Sequence, residues 1–292
     1  MSPFPHQDSD VHLSQREFFD KHPFPGLHLP EDVTRAQFIN ILEKNHLYRC
    51  IRGLLFPGCR LLDAGCGTGE FTAYLSMGTD AEVIGIDYSQ ATIAWARNLA
   101  TKVPGLGRVD FREADVFALS NEYRGNFDVV LAMGLFPSIP REQEGLRNLV
   151  DTLKPGGIAI FGFFDPVGRA YLRLKRWLLQ ASARCFADQE AIVRKAMMAH
   201  VKDENLVRWQ INQLTEEFLN FHSPRRAWSM MAEAGLSVTD CFPSCQALGG
   251  IYPEALEVKE AMAKPFPTLG GQMRWLMEGT DGYFVLAGRK GG

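Results

Sequence analysis

The residues best suited to chemistry lie in one stretch, Arg60-Leu-Leu-Asp-Ala-Gly-Cys-Gly-Thr-Gly-Glu-Phe-Thr72. A short apolar run ends in Asp63 and opens into Gly65, Cys66, Gly67 and Gly69. Glycines there accept positive φ and let a ligand approach the backbone, while the helix that follows offers unpaired N–H groups. The spacing is G-x-G-x-G, and Glu70 stands where a dinucleotide fingerprint would continue. A carboxylate at position 63 repels phosphate and suits a ligand carrying an ammonium and a sulfonium.

S-adenosylmethionine is such a ligand, and the stretch resembles the first motif of class I S-adenosylmethionine-dependent methyltransferases. The likeness extends over roughly residues 55–165 and 223–290. It implies a Rossmann-like, doubly wound α/β fold: a mostly parallel seven-stranded sheet, an antiparallel final strand and an inserted helical cap. It also implies site residues at the strand ends. Asp87, with Tyr88 beside it, would grip the ribose. Asp115 and the Val116 backbone would meet the adenine, and backbone carbonyls from Met133 onward would lie near the methyl group.

Elements that position these residues are legible as alternating strands and helices. Strands are expected at 60–63, 83–86, 110–113, 127–133 and 158–164. Helices are expected at 70–76, at 90–100 with Ser89 as N-cap, and at about 141–153. Lys154-Pro-Gly-Gly157 reads as the exit from that last helix. Residues 168–221 carry only helical stripes: Tyr171, Leu174 and Leu178; Ile192, Ala196 and Met197; Val207, Ile211, Leu214 and Phe218. Ser223-Pro224 starts another helix, followed by strands at 236–241 and 283–289. The expected organisation is an arm and leading helices (1–55), a cofactor-binding core (56–165), a helical cap (166–222) and the rest of the core (223–292). A second insertion at about 243–282 carries Tyr252-Pro and a short helix near 274–277. The aromatic, proline-rich 16–26 reads either as an extended arm packed on the core or as a lid.

Composition is that of a globular domain, with 46% hydrophobic and 22% charged residues. A net charge of -3 gives no overall basic field for DNA or long RNA. The six cysteines show no C-x-x-C pair and no zinc spacing, so no metal is expected and the thiols read as reduced and buried. No apolar run approaches the ~20 residues of a membrane span, and the N-terminus lacks a signal-peptide pattern. The expectation is a cytoplasmic protein without a membrane partner; oligomeric state is not legible.

The acceptor is less defined. Neither the Asn/Asp-Pro-Pro-Tyr/Phe motif of amino-methylating enzymes nor the Pro-Cys of pyrimidine C5 enzymes follows the fourth strand, which leads into Gly134-Leu-Phe-Pro-Ser138. Aromatic residues (Phe136, Phe161, Phe163, Phe164) and a helical cap suggest an enclosed apolar pocket for a small-molecule acceptor. For acceptors that must lose a proton, His222 is the first candidate base, Asp165 the second and His22 a third. The basic run Arg169, Arg173, Lys175 and Arg176 reads as a solvated face or an anion site. Alternatives are methylation of tRNA or protein, an inactive cofactor-binding subunit, and aminopropyl transfer.

Overall fold

A computed structural model describes residues 8–27, 29–30, 32–183, 189–216, 218–244, 272–273, 276 and 282–292. Three helices lead in: α1 (Asp8–Lys21), α2 (Arg35–Leu42) and α3 (His46–Arg52). The core then alternates β1 (Arg60–Ala64), α4 (Glu70–Ser76), β2 (Glu82–Asp87), α5 (Gln90–Lys102), β3 (Arg108–Glu113), β4 (Phe127–Ala132), α6 (Glu142–Thr152) and β5 (Leu153–Phe164). Then come α7 (Ala170–Ala183), α8 (Gln189–Ile192) running into a π-helical turn, α9 (Glu204–Thr215), α10 (Pro224–Glu233), β6 (Leu236–Ser244) and β7 (Tyr283–Lys290).

The strands form one seven-stranded sheet in the order β3-β2-β1-β4-β5-β7-β6, with only β7 antiparallel to its neighbours. Successive residues alternate between the two faces, and the core divides accordingly. Leu61, Val83 and Val129 join Phe38 and Tyr74 on one face. Leu62, Ile84 and Val130 join Phe136, Phe161 and Met231 on the other. A third cluster, Leu179, Val193, Val207, Ile211 and Leu214, holds α7 to α9 together.

Local signals account for the helix starts. Ser89 caps α5 by accepting from Thr92 N, and Ser223 caps α10 with Pro224 in the first turn. Lys154-Pro-Gly-Gly157 is not an exit loop. Leu153 pairs with Phe127 and Ile158 with Val129, so the four residues form an irregularity inside β5.

Two further expectations are corrected. The 16–26 segment is not an extended arm, because α1 runs to Lys21; its prolines, at 23 and 25, lie beyond the helix and leave its hydrogen bonds intact. Tyr171, Leu174 and Leu178 are 65%, 51% and 53% exposed, so this stripe is not core. The inward face of α7 carries Arg169 just before it, Arg176 and Leu179, all buried. The helix expected near 274–277 and Tyr252-Pro lie largely outside the described residues, of which 272–273 and 276 are helical. Among the described residues no helix is long and apolar enough to cross a membrane.

Candidate active site

The chain leaves β1 for β2 and β3, then returns to β4 on the other side. The switch point between β1 and β4 is where an open α/β sheet accommodates a ligand beyond its carboxyl ends. Asp63, next to last in β1, is buried and accepts from Thr72 Oγ1 at 2.6 Å. Burial pushes its carboxyl up to about 6, with Asp87 adding repulsion against the Thr72 hydrogen bond. Asp87, the last residue of β2, accepts from Ser89 N at 3.0 Å and Gly67 N at 3.1 Å. Burial also lifts Asp87 to about 6, those backbone donors notwithstanding. Two desolvated carboxyls in such a position are stabilised in ionised form by a cation.

The glycine turn differs in detail from its sequence reading. Gly67 has φ +56°, and a Cβ there would run into the Phe24 carbonyl oxygen. Gly69 has φ +86°, and its Cβ would meet Ala96 and Phe111 at 2.8 Å. These glycines admit the chain's own backbone and the α4–α5–β3 packing, and Gly69 does not line the cavity described below. Thr68 N donates to Phe24 O, Gly26 N to Thr68 Oγ1 and Leu27 N to Glu70 Oε1, so residues 24–27 are strapped over the turn.

At the end of β3, Asp115 accepts from Phe117 N at 2.9 Å and from His12 Nε2 at 2.8 Å. Burial works to raise this carboxyl, but the His12 and Phe117 donors outweigh it and hold it below the ordinary range. The His12 ring lies 5.1 Å from that of Tyr88. Burial, then the charges of Asp87 and Glu216, push the Tyr88 hydroxyl above its usual range. Helix α1 therefore lies across the ends of β2 and β3, held also by Asp20 accepting from Ser89 Oγ at 2.6 Å. Beyond β4, the Met133 carbonyl accepts from the Tyr283 hydroxyl of β7.

These ends open into one cavity of about 680 Å³. Asp63, Gly65, Cys66, Gly67, Asp87, Tyr88, Asp115, Val116 and Met133 all line it. Its volume falls in the range of small-molecule and cofactor sites. The wall facing the sheet comes from α9 and the residue after it: Asn205, Trp209, Asn212, Gln213 and Glu216. Their i, i+4, i+7, i+8, i+11 spacing puts them on one helical face, away from the buried Val207, Ile211 and Leu214. Glu216 is 1% exposed and accepts at 2.8 Å from Gln15 Nε2, which also donates to the Ser138 carbonyl. Burial raises its carboxyl to about 7 against the pull of Ser138 and Gln15 and the charges of Arg176 and Arg169.

The candidate bases fall elsewhere. His222 Nε2 lies 2.6 Å from Glu142 Oε2, and neither lines the cavity. Asp165 is fully buried, accepting from Val167 N, Gly168 N and Gln272 Nε2 to shape the turn before α7. His22 packs on Phe18 with Glu190 3.9 Å away, also off the cavity. The basic run is a solvated face only in part: Arg173 is exposed and Lys175 half-exposed, whereas Arg169 and Arg176 are buried. Arg169 lies over the Phe164 ring and donates to Gln213, and Arg176 donates to the Gln213 and Glu216 carbonyls. His12, Gln15, Trp209, Asn212 and Glu216 were not singled out from sequence, although the polar stripe opposite the Val207 stripe of α9 carries a signal for the last three.

A family profile described as a methyltransferase domain matches residues 55–234, more than half of the chain. A ubiquinone biosynthesis O-methyltransferase of Alkalilimnicola ehrlichii is 28% identical over 186 residues, covering 62% of this chain and 73% of that protein. An uncharacterised Synechococcus protein is 33% identical over 115 residues, 39% of this chain and 27% of that longer protein. Among solved structures, magnesium protoporphyrin IX methyltransferase of Synechocystis PCC 6803 with bound SAH aligns with a TM-score of 0.53 at 15% identity, covering 98% of this chain and all of that one. The [4+2]-cyclase SpnF aligns with a TM-score of 0.54 at 17% identity, over 98% of this chain and 97% of its own. With the sheet order, the strand-end carboxylates and the domain match in agreement, the chain belongs to the class I S-adenosylmethionine-dependent methyltransferases.

Proposed function

We propose that this protein transfers the methyl group of S-adenosylmethionine to an oxygen of a small molecule held in the cavity. The observation that carries this reading is the continuity of that cavity. One space is bounded both by the strand ends suited to the cofactor and by the polar face of α9. The O-methyltransferase relatives support oxygen as the acceptor atom.

Asp87 has two backbone donors and lone pairs left for the ribose hydroxyls. Asp115 and Val116 serve the adenine, Asp63 the cationic amino acid part, and the turn after Met133 lies beside the methyl group. Residues 166–222 act as the cap, and α1 with the 24–27 strap as a lid. When bound, S-adenosylmethionine supplies an activated methyl group and a neutral thioether leaving group. The protein's share is alignment, exclusion of water and the handling of one proton. Methylation of tRNA or protein receives less support, since of the basic run that could dock such a substrate Arg169 and Arg176 are buried struts.

The test is transfer from methyl-labelled S-adenosylmethionine into a fractionated extract of the source cell. Label in a small-molecule ether is the expected result. Label in RNA or protein, or no label despite measurable cofactor binding, would overturn the proposal.

A further inference from the structure

We infer that Glu216 takes the proton from the acceptor's hydroxyl and that Asn212 orients that hydroxyl, so the acceptor is a planar, hydroxylated molecule lying along α9. This rests on the small-molecule reading above and names the part of the cavity that serves the acceptor.

Four observations support it. Glu216 and Asn212 lie one turn apart on the cavity-lining face of the α9 segment, 1% and 4% exposed. Asn212 Oδ1 accepts from Gln213 Nε2, but Asn212 Nδ2 has no hydrogen-bond partner among the described residues. A buried amide donor without a partner is costly, and a ligand oxygen would satisfy it. Trp209, less than a turn away on the same face, supplies a flat apolar surface against which a ring packs. Finally, the Gln15 amide that donates to Glu216 also donates to the Ser138 carbonyl, which stands just beyond β4 where the turn leads away from Met133. The carboxyl is thereby tethered to the end of the sheet nearest the proposed methyl position.

The groups facing Glu216 are Gln15 of α1, Ser138 after β4, Tyr88 after β2, and Arg169 and Arg176 at α7. Gln15 donates to it and fixes its orientation. A carboxyl titrating near neutrality is matched to accepting a proton at physiological pH. In the step, the proton passes from the acceptor oxygen to the carboxylate as that oxygen takes up the methyl group. The oxygen ends as a neutral ether, the electron pair of the broken C–S bond stays on sulfur, and Glu216 returns its proton to water after product leaves.

The experiment compares the wild type with Glu216→Gln and Asn212→Leu. The acceptor is identified by mass from the labelled product of the extract, and its binding to protein loaded with S-adenosylhomocysteine is measured by calorimetry. Both variants should hold S-adenosylhomocysteine within about twofold of the wild type, which also establishes that they fold. Glu216→Gln should lose about a hundredfold or more in transfer rate at neutral pH, with the residual rate climbing as pH rises and the acceptor ionises unaided. Asn212→Leu should bind the acceptor about tenfold more weakly. Wild-type transfer by Glu216→Gln, or a product methylated on nitrogen or carbon, would overturn the proton-acceptor role while leaving methyl transfer intact. Acceptor binding unchanged in Asn212→Leu would overturn the orienting role. Absence of any labelled wild-type product would overturn the methyl-transfer reading and this one with it.

Discussion

Gln15 of the N-terminal helix donates its amide to Glu216, 201 residues away in sequence, across 2.8 Å between two buried side chains. The same nitrogen lies 3.1 Å from the carbonyl oxygens of Ser138 and Phe218. One amide thus joins the N-terminal helix, the turn after β4 and the segment following α9. Gln15→Leu strips a donor from buried acceptors and should destabilise the fold by about 2 kcal/mol. Urea unfolding would measure this, and an unchanged midpoint would mean that the amide contributes nothing to docking α1.

Asp87→Ala should weaken binding of S-adenosylmethionine by ~1.5–3 kcal/mol, the scale of hydrogen bonds to a charged group. The fold should persist, since Asp87 sits at a strand end and its backbone pairing with Glu113 is retained. Calorimetry that finds the wild-type affinity would remove Asp87 from the ribose site.

Cofactor affinity should depend on pH through Asp63 and Asp87. Both carboxyls are raised from 3.8 to about 6 in the folded protein. A raised carboxyl binds its proton more tightly when folded, so its contribution to stability is complete below pH 3.8 and declines up to about 6. A cationic ligand favours the ionised form. Affinity should therefore increase as pH rises toward and through about 6, with protons released on binding in that window. Titrations in buffers of different ionisation enthalpy would detect the release. Affinity independent of pH from about 5 to about 7.5 would contradict the assignment of these carboxyls to the cation.

His222→Ala should leave turnover at saturating cofactor unaltered, because the ring is bonded to Glu142 outside the cavity. Stability should fall by about 1 kcal/mol with the loss of a partly buried hydrogen bond. A large drop in turnover would return His222 to consideration as the base.

The fold and half of the site were legible because their signals are local. A strand covered on both faces is a short apolar run. Asp63, Asp87 and Asp115 fall where such runs end, and Gly67 and Gly69 mark a turn that demands positive φ. Order along the chain then implies order in the sheet, since β–α–β crossovers have one hand.

What tertiary structure decided is which distant side chains meet. His222 and Asp165 carry suitable chemistry in suitable places along the chain, yet each is consumed by a neighbour, Glu142 in one case and the 167–168 turn in the other. Gly67 makes room for Phe24, a contact between residues 43 apart that no local pattern encodes. Glu216 gains its raised carboxyl because folding buries it, while Gln15, from the far end of the chain, arrives to hold it. Periodicity shows that α9 has a polar face. Only packing shows that this face is turned toward the strand ends, because desolvation and hydrogen-bond partners belong to the assembled molecule.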